Sequence, residues 1–484
     1  MIDADTDAGR WFHRLSRELH DRRTGRQGGR RWNRQTVNPQ RIRPGLQVLD
    51  DYRQGDPPLR GDIHSGWKPY VRQFMRMGRL NMADLLITST SNRLQLRDFR
   101  TSAGDDELGD VEARNIMRAN GLMVVAKEVH EMALTFGEAY MMVTPPSRGR
   151  KRALITAEDP RQTIVATDPA TGRPVAGLKM FRNEWDDEDL AYLHLPGRVL
   201  LARRGGRTSI NDGPFRLDAK GWSWDDEGAQ TVPDGRFALV PFRNRDGVGE
   251  FERHLDTLDR INDKIFDEWW IAKIQAFRQR AVKNLPDTKD EVQEDGTVRE
   301  VPVADDEYDD MFTASPDEMW QVPGDVEFWE SQPVDLTPIT NAIEKDRQRL
   351  ASATSTPLHT ITPDAAAGSA EGASLMREEH TFKVEDRRDR FIPCHAEVMS
   401  LAFLFGGDTE RSDVEQIDPQ FGPIVRYSLT EKASAASQAL TSLPAELIQR
   451  DIWQYEPAEV QEIRKMRGRD LLTSLSDGIT DPTA

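Results

Sequence analysis

One cysteine, Cys394, stands in a chain of 484 residues, so neither an intramolecular disulfide nor a cysteine-built zinc site can form, and the usage fits a reducing compartment. Long apolar runs are missing too. No window approaches the roughly 18 consecutive apolar residues of a membrane span, and the N-terminus has no apolar core of signal-peptide type, which points to synthesis in the cytosol. Signatures of nucleotide chemistry and catalysis are equally scarce. In "TPDAAAGSAEGAS" the second glycine, Gly372, is followed by Ala373 and Ser374, where a phosphate-cradling P-loop needs Lys and then Ser or Thr. There is no GxSxG and no HExxH. Glu378, Glu379 and His380 are adjacent, so they diverge around a helix and read as a solvated face. Cys394 and His395 make no dyad by adjacency, and Cys394 reads as a core residue beside a kink at Pro393. No repeat at a solenoid period is present.

What the chain does have is charge, unevenly placed. The net charge is −17, yet from Asp287 to Glu330 sixteen Asp and Glu face only Lys289 and Arg299, a local −14. Between Arg10 and Arg43, eleven arginines face only Glu18 and Asp21, a local +9. The basic stretch reads as a disordered tail, with nucleic acid or an acidic partner as an alternative role. The cluster Asp305, Asp306, Glu307, Asp309 and Asp310 offers oxygen ligands to a hard cation but lacks the loop glycine and ligand spacing of an EF-hand, so it reads as surface charge.

Hydrophobic spacing predicts a mixed α+β chain. "LQVLDDYRQGDPPLR" is a short helix stopped by Gly55, Pro57 and Pro58, and "LNMADLLITSTSNRLQLRDFR" is a helix feeding a strand. Ile116, Leu122, Val125, Val129, Met132 and Phe136 give one packed helix, ended by Gly137 before the buried strand "AYMMV". From Ala153 to Val240 short apolar runs alternate with turns, as at Asp168, Pro169 and Gly172, which predicts a β-rich region. Phe251, Leu255, Leu258, Asn262, Ile265, Trp269, Ala272 and Ala276 then keep a three-four alternation. A helix from Gly249 to Phe277 would be about 40 Å long. A second helix opens at Thr337 with Pro338 in its first turn and presents Ile339, Ile343 and Leu350 on one face. Two helices thus bracket an acidic insertion, the pattern of a stalk with a module at its tip. Trp269 and Trp270 read as packing residues rather than stacking platforms for bases.

Six segments, taken in order, resemble the portal proteins of tailed bacteriophages, in the siphophage-type portal family. They are "LDDYRQGDPPL", "NRLQLRDFR", "IMRANGLMVVAKEVHEMALTFGEAYMMV", "LVPFRNR", "ASATSTPLHTI" with "GSAEGASLMREEHTFKVEDRRDRF", and "LPAELIQRDIWQYEPAEVQEIRKMR". Each is loose alone; the order across Leu46 to Arg467 makes the likeness specific. The chain departs in an Ala-rich run where Asn and Ser are commoner, and in an acidic insertion with no residue-level counterpart.

The resemblance implies a portal fold with wing, stem helices, clip, tunnel loop and helical crown, assembled as a ring, usually a dodecamer, at one capsid vertex of the virion after assembly in the host cytoplasm. Mapped on this chain it gives a disordered basic arm at 1–45, wing at 46–248, stem helices at 249–277 and 337–353, and an acidic clip at 278–336. The tunnel loop would be 354–373, the long wing helix and return strand 374–426, the crown 427–470, and a disordered tail 471–484. Expected partners are copies of itself, the terminase large subunit, a head-completion or adaptor protein, the major capsid protein and scaffold, and double-stranded DNA passing without sequence specificity. No membrane, cofactor or enzymatic activity is implied. The tunnel loop would present His359, Thr360, Thr362, Asp364, Gly368, Ser369, Glu371 and Gly372 to DNA, with Lys383 and Arg387 also facing the tunnel. Asp305, Asp306, Glu307, Asp309 and Asp310 would form the clip docking face, and Leu255, Leu258, Ile265, Trp269, Ile339, Ile343 and Leu350 would pack the stem. Competing readings are another head-tail connector or minor capsid protein, and a metal-dependent nucleic-acid enzyme built on the acid cluster.

Overall fold

A computed structural model describes residues 2–3, 5–27, 30–31, 43–58, 73, 75–102, 109–146, 149–205, 221–276, 280–283, 288–293, 296–302, 327–330, 332–362, 370–425, 427, 429–455 and 457–479. The chain divides into two compact units, Met1–Asp259 with Asp346–Ala484, and Arg260–Lys345. Helix and sheet are mixed, and among the described residues no helix is long and apolar enough to cross a membrane.

Part of the N-terminal arm expected to be disordered is helical, while residues 28–29 and 32–42 of it lie outside the described residues. Residues Asp7–Thr24 form helix α1, capped by the Thr6 hydroxyl, which accepts from Gly9 N–H, and closed by Gly25 in the left-handed region. Phe12, Leu15 and Leu19, at helical spacing, are fully buried against a sheet, each burial stabilising by about 1.5–3 kcal/mol. That sheet is an antiparallel meander of five strands, β6 (Thr163–Thr167), β7 (Pro174–Asn183), β8 (Glu188–Leu195), β9 (Arg198–Gly205) and β10 (Ser223–Thr231), each paired with the next. Ile164, Leu178, Met180, Leu193 and Trp222 line its covered face, where Trp222 meets Phe12 edge-on at 5.5 Å. Charge density had masked an amphipathic helix whose apolar stripe is only three residues deep.

Beside it, α5 (Leu122–Phe136) packs on the three-stranded sheet β11-β4-β5, with β4 at Glu138–Thr144, β5 at Leu154–Glu158 and β11 at Leu239–Arg243, and α2 (Leu46–Arg53), α3 (Met82–Ser91) and α4 (Val111–Asn120) pack on α5. The single helix expected over 111–136 is broken at Gly121, whose φ of 57° ends α4 and starts α5. β3 (Leu96–Thr101) pairs antiparallel with β16 (Ile417–Phe421).

Helix α6 runs over Leu255–Ala276, not from Gly249. A Cβ on Gly249 would lie 2.2 Å from the Thr135 carbonyl oxygen, and Glu250 N–H donates to Leu134 O at 2.8 Å, so this stretch is bound to the end of α5 before the helix can begin. α7 spans Thr337–Ala353, α8 Leu358–Ile361, and α9 Ala370–Phe405 with Pro393 inside it. The C-terminal helices are α10 (Leu429–Ala439), α11 (Ala445–Leu447) and α12 (Pro457–Ile479). α12 therefore carries helix to Ile479, through most of the stretch expected to be a disordered tail.

The unit Arg260–Lys345 holds most of α6, the first half of α7 and two small antiparallel ribbons. These are β12 (Arg280–Lys283) with β15 (Glu327–Glu330), and β13 (Thr288–Val292) with β14 (Val298–Pro302).

Candidate functional site

The best-defined polar site lies where three pieces of the first unit converge: the turn before α6, the turn after α7, and the N-terminal half of α9. Asn244, just past β11, donates from Nδ2 to Val248 O (2.7 Å) and to Glu250 Oε1 (3.1 Å), which folds the turn back on itself. Glu250 then meets α9, accepting from Lys383 Nζ at 3.0 Å and from Arg387 Nε at 2.7 Å. Burial alone would raise the Glu250 pKa, but the Lys383 and Arg387 charges and hydrogen bonds outweigh it and hold the carboxyl at about 2.

The same face of α9 fixes the far turn. Lys383 Nζ donates to Thr354 O (2.9 Å), His380 Nδ1 pairs with Ser355 O (2.9 Å), and Ser355 Oγ donates to Glu379 Oε1 (2.9 Å). Ser355 has a φ of 48°, a left-handed position that ends α7 ahead of Pro357. His380 Nε2 reaches Ser89 O at 3.3 Å. Burial lowers the His380 pKa to about 4, so it is neutral near pH 7. Three successive turns of α9, at Glu379 and His380, Lys383 and Arg387, therefore clamp the start of α6 and the end of α7. A cleft of about 660 Å³ opens over this cluster, lined further by Arg253, His254, Asp386 and Arg390. A carboxylate held near 2 is a poor base at neutral pH, so the cluster positions backbone rather than performing proton transfer.

Several sequence expectations change here. Lys383 and Arg387 do not project freely into a channel; their side chains are buried in the Glu250 cluster. His380 is buried rather than part of a solvated face. The segment drawn as one loop from 354 to 373 contains α8, and α9 begins at Ala370, which puts Glu371 and Gly372 in its first turn. His359 is exposed, and Thr360 and Thr362 are half-buried. Asp364, Gly368 and Ser369 lie outside the described residues, as do Asp305, Asp306, Glu307, Asp309 and Asp310. Among the described residues no group of three or more His, Cys, Asp or Glu is arranged to hold a metal ion.

Of the seam residues, Leu255, Leu258, Ile343 and Leu350 are buried, Ile265 and Ile339 are half-buried, and Trp269 is 44% exposed. The Thr340 hydroxyl donates to Glu268 at 2.9 Å and Gln275 Nε2 to Val334 O at 3.1 Å. As one chain position rises the other falls, so the two segments run antiparallel.

Sequence reasoning missed the Glu250 hub. Its signal was a carboxylate directly after the "NRDGVG" turn, with a Lys and an Arg four residues apart on a later helix; only folding brings them together. Cys394 donates from Sγ to Pro241 O at 3.3 Å, and burial pushes its thiol pKa up to about 12, which keeps it an unreactive thiol.

A family model described as phage portal protein, SPP1 Gp6-like, matches residues 38–470. Among solved structures, the chain is similar to the neck of an empty GTA particle computed with C6 symmetry, at 13% identity and a TM-score of 0.43, covering 79% of this chain and 93% of that one. It is similar also to the neck of a native GTA particle computed with C12 symmetry, at 13% identity and a TM-score of 0.43, covering 80% and 94%. No curated protein matches.

Proposed function

This chain belongs to the SPP1 Gp6-like phage portal protein family, and from that premise we propose that it forms the ring-shaped DNA channel at one capsid vertex. The family match over residues 38–470 carries the reading. In this reading the chain is a structural component of the virion that serves genome packaging with a terminase motor, DNA retention, head-tail joining and ejection. The motor hydrolyses ATP and the portal guides the DNA.

The unit Arg260–Lys345 supplies stem and clip, the segment after Ser355 lines the tunnel, and α10 to α12 form the crown. The Glu250 cluster suits such a device, because it ties both stem ends and the root of the tunnel segment to one long helix. A force on the stem or on the tunnel is then passed to α9 through charged hydrogen bonds rather than through a loose linker. Imaging purified protein by negative stain tests the reading: rings with a central hole are expected, and uniformly monomeric particles would overturn it.

The acidic stretch has a role in the same picture. A ring multiplies its local charge of −14, and a strong negative field keeps a duplex from adhering while it slides, since cationic side chains on phosphates dominate DNA affinity. The same face offers basic partner surfaces a docking site. Replacing Asp305, Asp306, Glu307, Asp309 and Asp310 by Asn or Gln should weaken binding of the terminase or the adaptor and slow packaging. Unchanged packaging together with unchanged partner binding would remove this role.

A further inference from the structure

Strands β7 and β8 pair up to Asn183 and Glu188, and the turn between them leaves Trp185 98% exposed. The turn is pinned rather than loose. Trp185 N–H donates to Asn183 Oδ1 (3.2 Å), Asn183 Nδ2 donates to Asp186 Oδ2 (2.6 Å), and Arg182 engages Asp187, which sits at a φ of 52°. An indole held wholly in water on a fixed hairpin end has the character of an interface anchor, because tryptophans set in a partner's pocket dominate binding energy. Its neighbours Glu184, Asp186 and Asp187 are exposed carboxylates, so the surface that receives it is apolar with a basic rim.

The chain carries such a surface elsewhere. A cleft of about 700 Å³ has an apolar wall that includes Ile424 and Tyr427, and cations at Arg97, Arg100, Arg388 and Lys432. Within it, the buried Nε of Arg100 has no acceptor among the described residues. The lining also carries Glu385, Asp451 and Glu459 against the five cations Arg97, Arg100, Arg388, Lys432 and Arg450, so its balance is basic, and Asp451 is bound by Arg450 at 2.6 and 2.9 Å and also feels the Arg100 charge.

We propose that the Trp185 turn of one copy docks in the Arg100 cleft of a second copy, with the indole on the apolar wall and the flanking carboxylates on the arginines. The contact is heterologous, since turn and cleft are different surfaces, and repetition of such a contact closes a ring when its rotation permits. It rests on the ring reading above and names the residues that would hold neighbours together.

Charge exchange tests it, read by mass photometry over a range of protein concentrations. Trp185→Ser should raise the concentration for half-assembly by about tenfold or more, with thermal unfolding of the monomer unchanged. Glu184→Lys with Asp186→Lys should do the same, as should Arg100→Glu with Arg388→Glu, and all four substitutions together should restore assembly. That rescue cannot arise from misfolding. A wild-type ring that is indifferent to each of these changes, or a fourfold variant that fails to recover, would overturn the docking while leaving the ring intact. A cleft variant that assembles normally but loses affinity for a short DNA duplex would assign the cleft to nucleic acid and also overturn it. A wild-type chain that stays monomeric throughout would overturn the ring reading and this contact together.

Discussion

Helices α1 and α6 are both amphipathic and both flanked by charge, yet they end up in opposite environments. α1 buries Phe12, Leu15 and Leu19 completely against its own sheet. α6 buries Leu255 and Leu258 in the first unit and Ile261 at the start of the second, where Ile265 is half-buried and Trp269 is 44% exposed. An apolar stripe therefore reports that a face will be covered, and not by what. α1 finds its cover in a sheet of its own unit, whereas α6 carries Trp269 partly into solvent.

The largest test breaks the tight side of this contrast. Glu250→Ala removes the carboxylate that Lys383 and Arg387 share, both of them largely buried, and should cost about 3–5 kcal/mol of stability because it strands buried charge. Denaturant unfolding of the variant measures this, and a loss below about 1 kcal/mol would mean the cluster is dispensable.

Acid should separate the two units next. Burial lowers His130 to about 4, and it pushes His395, 2.8 Å away across the ring nitrogens, well below its usual range. Burial likewise takes His194 to about 3, aided by the Lys179 charge. A folded pKa below the ordinary 6.5 means that the unfolded chain binds the proton more tightly, so the stability is present above about 6.5 and is lost as pH falls toward 4. His130 alone accounts for about 3 kcal/mol at most. No histidine lies between Arg260 and Lys345. Hydrogen exchange at pH 4.5 should therefore show the first unit opening while the second keeps its pH 7 protection, and equal loss in both would contradict the assignment.

The smallest effect on the monomer sharpens the other side. Trp269→Ala should change monomer stability by less than about 1 kcal/mol, far below the loss for a buried tryptophan, while weakening ring assembly. Sedimentation of the variant against its melting temperature separates the two effects.

Particular elements mark how much was legible. The β6–β7 hairpin around Gly172, the seam over Leu255 and Leu258, and the Pro-led start of α7 follow from local spacing and turn chemistry. α1 did not, because eleven arginines in the surrounding stretch hid three apolar positions. The start of α6 did not either, since Gly249 is held by contact with Thr135, far away in sequence. In the candidate site the sequence offered Lys383 and Arg387 as free cations. Their partner Glu250 is more than a hundred residues away, and a charge pair of that separation leaves no periodic trace.

What the sequence determined by itself is the family, the alternation of helix and strand, and the segregation of charge between the basic N-terminal stretch and the acidic insertion. Those depend on composition, on order and on spacing within a few turns of chain. Tertiary structure alone decided which charges are spent on holding the fold and which surfaces stay available. Lys383 and Arg387 vanish into a buried cluster, Trp185 stays in water, and Arg97, Arg100, Arg388 and Lys432 come to line one cleft, because burial and pairing are set by what the folded chain brings alongside each residue.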